Sequence, residues 1–278
     1  MIRSAVCACV CLISLMLSQT VLAQTVSSEA AKNRMEQWEI GPEIYYFQYK
    51  EPDFDVKDDG VMVGIAGAFV HRDPNHWMLK VDGHAAAGSI NYNSTASGSI
   101  NNIDDYTLEG RISTGYDILL PENQVFKTFF GVGYRYSNDD SSGKISSKGD
   151  LGYERESSYF YSPVGVEFNA KLNKNWALKV AAEYDIFWSG TQKSHLENVH
   201  LGLGTISNDQ NSGYGVRGSV KLQKKNGRFD ILIEPFVRWW NVKDSNLSNI
   251  TYTGVIVGYA YEPRNESLET GGKISIIF

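Results

Sequence analysis

The chain has 278 residues, with 26 Lys and Arg against 32 Asp and Glu and a formal charge of −6. All three cysteines, Cys7, Cys9 and Cys11, lie near the N-terminus, so the remainder has no thiol for a disulfide, a zinc–thiolate site or a cysteine nucleophile. The acidic balance argues against nucleic acid as a partner, and past the N-terminal segment no run of about 18 apolar residues offers a transmembrane helix.

Residues 1–23 have the pattern of an export signal. Met1-Ile2-Arg3 is a short positive start, Ala5 to Leu17 is almost continuously apolar, and Val21-Leu22-Ala23 offers a cleavage site before Gln24. None of the cysteines stands where a lipoprotein cleavage site needs one. Loss of Arg3 with the signal leaves 25 − 32 = −7. Residues 24–37 are expected to be a periplasmic N-terminal segment, and 38–278 a single β domain.

Ten segments of period-two alternation follow, starting near Trp38, Val61, Trp77, Tyr106, Phe126, Tyr159, Trp176, Tyr214, Phe229 and Leu268. Most run for roughly 10–15 residues, against the five or six usual in globular strands; a tilted membrane-crossing strand needs about 9–11. Short connections at 72–76, 121–124, 173–175 and 225–227 carry turn residues. Longer ones are expected at 50–60, 91–105, 137–155, 190–212 and 243–265, where they add up to negative charge while the short turns add up to positive charge. Tyr161 and Val164 break the parity of the sixth segment around Pro163, which predicts a β-bulge there. The apolar run 254–261 is placed in the last loop, with extension of a neighbouring strand as the alternative.

Aromatic residues on the apolar face gather at segment ends. Trp38, Trp77, Trp176 and Phe229 lie near the short turns, and Tyr136, Trp188, Tyr214 and Trp239 near the loops. Two such belts bracket a lipid-facing band. Short turns alternating with longer loops complete the prediction: an all-β, transmembrane, antiparallel up-and-down β-barrel of about ten strands.

The polar faces then point into the lumen. They carry eleven acids, Glu39, Glu43, Asp82, Glu109, Asp117, Glu167, Glu183, Asp185, Asp230, Glu234 and Glu269, against nine bases, Lys80, Arg111, Lys127, Arg135, Lys179, Arg217, Lys221, Arg238 and Lys273. Near balance predicts an ion-pair network, with His84 included, rather than an ion-selective pore.

The chain ends Gly272-Lys273-Ile274-Ser275-Ile276-Ile277-Phe278. Alternating apolar residues closed by a terminal Phe resemble the assembly signature of bacterial outer-membrane β-barrels. The resemblance covers the chain from about Trp38. It implies residence in the cell outer membrane among lipid and lipopolysaccharide, and insertion by the barrel-assembly machinery through Phe278. A closed barrel has no free edge, so a monomer is expected. The strand number is similar to that of the omptin proteases, but their acid and Asp/His motifs are absent; Asp104-Asp105, His195 and His200 do not match them in spacing.

Other chemistry is sparse. Asp82 and His84 share a face but stand about 7 Å apart along the strand, beyond direct hydrogen-bond reach. Ser194-His195 is an adjacency common by chance. Asp53, Asp55, Asp58 and Asp59 form an acidic cluster able in principle to bind a cation, yet Lys57 and Gly64 spoil the order of a calcium loop. No cofactor and no metal site is expected. The expected function is that of a non-enzymatic barrel with acidic external loops as interaction sites. A narrow channel or solute binder is the alternative, and a rim-active protease or lipid A-modifying enzyme comes third.

Overall fold

A computed structural model of the chain describes residues 35–278. The export signal and residues 24–34 lie outside the described residues. Strands β1 (Glu36–Glu51), β2 (Val56–Arg72), β3 (Trp77–Ser94), β4 (Gly98–Leu120), β5 (Gln124–Asp140), β6 (Glu154–Lys171) and β7 (Trp176–Ser194) follow one another as antiparallel neighbours. The short strand β8 (Ile206–Gln210) pairs with the end of β7, and β9 (Gly213–Asn226), β10 (Phe229–Val242) and β13 (Asn265–Ile277) complete the wall. A separate hairpin, β11 (Ser248–Tyr252) with β12 (Val255–Ala260), stands in the last loop. Because β1 pairs with both β2 and β13, ten strands close into a barrel. Trp38 and Phe278 exchange backbone hydrogen bonds of 2.9 and 3.0 Å across that seam.

The apolar face points outward. Phe130 is 60 % exposed and Val63 58 %, in a band that also contains Ile44, Ile65, Leu108 and Ile112. Water would penalise such a surface and hydrocarbon would not. Trp38, Trp77 and Phe278 mark one edge of the band, and Tyr46, Tyr106, Tyr134 and Trp188 mark the other.

Two sequence expectations are corrected. The first two of the expected long connections are tight turns instead, because β1 turns into β2 over residues 52–55 and β3 into β4 over 95–97, so the strands run on well past the outer belt. Beyond the belt the outer face of a strand is wet, so Asp59, Asn91 and Asn93 sit in strands that have no outward apolar stripe to announce them, while Asp58 turns into the mouth. The sixth strand keeps its parity: Tyr159 and Tyr161 are buried on the lumen side, with Phe160 and Val164 outside. The bulge lies on β7, where Trp188 is the extra residue between Phe160↔Ser189 and Tyr161↔Phe187. The run 254–261 stays in the last loop, most of it as β12, and extends no barrel strand.

A second bulge, on β4, is pinned by Asn102 at φ 57°, whose N–H donates to Asn91 Oδ1 at 3.1 Å. Asparagine tolerates that left-handed conformation. The bulge turns both Ile100 and Ile103 inward although they are three residues apart. Gly133 is set by a close approach of another kind: a Cβ there would lie 2.4 Å from the Tyr161 ring. The tyrosine lies across bare backbone.

Candidate functional site

The lumen is filled in three tiers, named here from the end bearing the short turns to the end bearing the loops. At the turn end lysines meet carboxylates. Lys273 Nζ lies 2.6 Å from Glu39 and 2.9 Å from Glu234, Lys127 Nζ 2.9 Å from Glu167, and Lys80 Nζ 3.1 Å from Asp82. Lys221 bridges Glu167 and Glu234 at 3.6 and 3.5 Å. A cavity of about 140 Å³ opens among them, with Lys179 on its wall.

The middle tier belongs to arginines, whose planar fork suits paired carboxylates. Arg217 donates to both oxygens of Glu109 at 2.6 and 2.9 Å, to Asp185 at 2.6 Å and to the Tyr161 hydroxyl at 3.0 Å. Arg111 joins Asp82 and Glu183, at 2.8 Å each through Nε and Nη1. Arg238 joins Glu269 at 2.9 Å and Glu43 at 3.0 Å, while Arg135 reaches the other oxygen of Glu269 at 2.5 Å. His84 Nδ1 faces Glu43 at 2.9 Å, so its near carboxylate comes from β1 and not from Asp82. These groups come from six or more strands, and strand alternation aims each of them inward.

Apolar side chains pack directly against this tier on the loop side. One cluster holds Tyr45, Phe47, Met62, Ile90, Ile103 and Phe236; the other holds Tyr159, Tyr161, Phe187, Trp240 and Val242. Arg238 lies over the Phe236 ring at 4.1 Å, and Arg217 over Tyr161 and Trp240 at 5.3 and 5.6 Å. The sequence reading had the lumen purely polar. A residue's hydrophobicity does not distinguish lipid from a dry plug, so these inward rings carry no signal in the sequence of the side they face.

The third tier is the mouth, above the outer aromatic belt. Arg155 donates to Glu262 at 2.7 Å, Tyr49 at 3.2 Å and Glu51 at 3.4 Å. Asp58, Asp105 and Asp139 stand close by, and Asp58 and Asp105 each keep one buried oxygen without a hydrogen-bond partner among the described residues. Burial and then the Asp139 charge raise the Asp58 carboxyl above the usual carboxylate range; burial and then Glu262 and Asp140 raise Asp139, with Arg155 opposing. A group whose folded value lies above its unfolded one stabilises most below the unfolded value, about 4, and this contribution fades as pH rises through the folded value. Hydrogen exchange of residues 52–55 and 141–153, corrected for intrinsic rate, should therefore speed up between pH 5 and pH 8. Asp58→Asn should flatten that trend, and protection independent of pH would contradict it.

The four acids of the first connection do not converge. Asp53 lies 3.6 Å from Arg264 Nε, Asp55 pairs with Thr95, Asp58 points into the mouth, and Asp59 accepts from Tyr46 at 2.7 Å and meets Lys57 at 2.9 Å. Asp104 and Asp105 are consecutive on β4 and so take opposite faces. Ser194 is no hydrogen-bond partner of His195 among the described residues. Instead His195 Nε2 meets Glu156 Oε1 at 2.7 Å and its Nδ1 meets Glu197 Oε1 at 3.0 Å, on the outer wall above the belt. Burial lowers the imidazole's affinity for its proton, but Glu197 and Glu156 outweigh it and the net shift is upward. Glu156 and His195 are 39 residues apart in sequence, and only the β6–β7 pairing brings them together.

No family model matches the chain, and no curated protein does either. Solved structures resemble it to different degrees. The outer membrane protease OmpT of Escherichia coli superposes with a TM-score of 0.62 at 9% identity, over 87% of this chain and 96% of that one. The translocator domain of the autotransporter NalP from Neisseria meningitidis gives 0.43 at 10% identity, over 91% of each chain. The outer membrane protein OprG of Pseudomonas aeruginosa gives 0.36 at 9% identity, over 87% of this chain and 95% of that one.

Proposed function

We propose that this chain, an outer-membrane-type β-barrel, is a non-enzymatic surface protein with a sealed lumen that works through its acidic mouth and loops. The mouth carries this reading: Glu51, Asp58, Asp139 and Glu262 gather around Arg155, with Asp105 beside Asp58 and Asp139. An unbalanced acidic cup above a neutral plug attracts cationic groups and offers them no passage. The barrel is exported with cleavage near Ala23, inserted by the assembly machinery through Phe278, and monomeric. It sits among outer-membrane lipid and lipopolysaccharide with its short turns in the periplasm. Nucleic acid is not a partner and no cofactor takes part.

Two measurements on the refolded chain test this reading. In planar bilayers it should give no stepwise current. At pH 9, where the raised carboxyls of Asp58 and Asp139 have lost their protons, a labelled oligolysine should bind with an affinity that falls as salt rises, and the double variant Glu51→Gln/Asp58→Asn should weaken it severalfold. Steady conductance, or binding indifferent to salt and to the double variant, would overturn the proposal.

A second reading, a rim-active enzyme, has one observation in its favour, the 2.7 Å contact of His195 with Glu156. OmpT, the fold neighbour, is a protease by name. Here the pair lies on the outer wall and not over the mouth, so a peptide held in the cup does not reach it. Cleavage of a peptide library, lost in His195→Ala, would favour the enzyme.

A further inference from the structure

We propose that Glu154, Glu156 and His195 form a divalent transition-metal site of the zinc type on the outer wall, just above the loop-side aromatic belt. One donor atom from each of the three lies within 4.8 Å of the others. Zinc bonds to carboxylate oxygen and imidazole nitrogen are about 2.0–2.2 Å, so tetrahedral donors sit a little over 3 Å apart. Small side-chain rotations close that gap.

The backbone sets the site up. Glu154 and Glu156 are two apart on β6 and project on the same side. His195 follows the last residue of β7, and its N–H donates to the Glu154 carbonyl at 3.0 Å. The imidazole is therefore fixed beside the two carboxylates by the strand pairing itself.

A surrounding set of hydrogen bonds holds each donor. Glu197 Oε1 lies 3.0 Å from His195 Nδ1 and accepts from Thr205 Oγ1 at 2.7 Å. With the Nδ1 proton held by Glu197, a metal that displaces the Nε2 proton meets that nitrogen's lone pair beside Glu156. Tyr136 donates to Glu156 Oε2 at 2.9 Å and Asn138 to Glu154 Oε1 at 2.7 Å, so the other oxygen of each carboxylate is left to ligate. Carboxylate–histidine–metal chains with hydrogen-bonded carboxylates are the usual supporting arrangement of zinc sites.

The donor set also selects the ion. One imidazole and two carboxylates suit zinc, whereas calcium takes six to eight oxygens and magnesium an oxygen octahedron. Three protein ligands leave a fourth position to water.

The test uses the full refolded chain in detergent, stripped with chelator and titrated with Zn²⁺ against a competing dye, with Ca²⁺ and Mg²⁺ in parallel. One Zn²⁺ per barrel is expected. His195→Ala and Glu156→Gln should each weaken it at least tenfold, and Glu197→Gln about tenfold through the loss of ring orientation. His200→Ala should change nothing, because His200 Nδ1 meets the Leu201 carbonyl, away from the cluster. Heat-modifiable gel mobility checks folding; if His195→Ala fails to fold, Glu154→Gln, which keeps every backbone contact, takes its place. Unchanged Zn²⁺ affinity in the folded variants, or Ca²⁺ bound as tightly as Zn²⁺, would sink the proposal.

Discussion

Arg217→Ala is expected to destabilise the barrel by about 3–5 kcal/mol, the range for removing one partner of a buried charge pair. Arg217 holds Glu109 through two parallel hydrogen bonds and Asp185 through a third, and the side chains of Glu109 and Asp185 are 2 % and 0 % exposed. Removing the guanidinium leaves both carboxylates in the barrel centre without their main cation, and water cannot easily replace it beneath the aromatic cluster. The cost comes chiefly from the stranded acids and not from any large net gain by the intact pair. Arg217→Met with Glu109→Gln should therefore recover about half of the loss. Urea unfolding in lipid vesicles, followed by tryptophan fluorescence, reads both variants. A midpoint unmoved in Arg217→Ala would show that the middle tier is hydrated and contributes little.

The second large effect is expected at Trp240. Its side chain is 1 % exposed and meets Tyr161, Tyr159 and Phe187 with ring centroids 5.0, 5.6 and 6.4 Å away. Trp240→Ala should cost about 3–5 kcal/mol, from lost transfer energy and from the cavity left behind. Trp240→Phe keeps most of the volume and should cost under about 1.5 kcal/mol. Because Arg217 lies over the Trp240 ring at 5.6 Å, the two alanine variants share a contact and their costs should not add. Additive costs in the double variant would show that ring and guanidinium act separately.

Much of this barrel is legible in the sequence because lipid imposes a simple rule. Strands such as Trp176–Ser194 must present an apolar residue at every second position within the bilayer, and the turns at 72–76 and 225–227 stand out against that rhythm. The same rule places Arg217, Glu109 and Arg238 in the lumen. It fails wherever the outward face meets something other than lipid or the inward face something other than charge. Asn91 and Asn93 are on the outer face of β3 above the belt, where water replaces lipid, and read as loop. Tyr159 and Tyr161 are apolar neighbours of a dry plug and read as lipid-facing. The Glu154–Glu156–His195 cluster was hidden for another reason: its parts are joined by strand register, and no local spacing encodes a pairing partner.

The two tight turns above the belt, 52–55 and 95–97, have a mechanical consequence. The first caps a ladder that runs in unbroken register from the bilayer to the tip, Glu51↔Val56 through Glu36↔His71, and the second caps one interrupted only by the bulge at Asn102. A force applied at such a tip and directed along the strands loads the whole row of hydrogen bonds in shear, so the bonds share the strain instead of opening one after another. Whatever grips the protein there pulls on a stiff post anchored through the membrane. The last loop, with its separate β11–β12 hairpin, lacks that continuity and yields first.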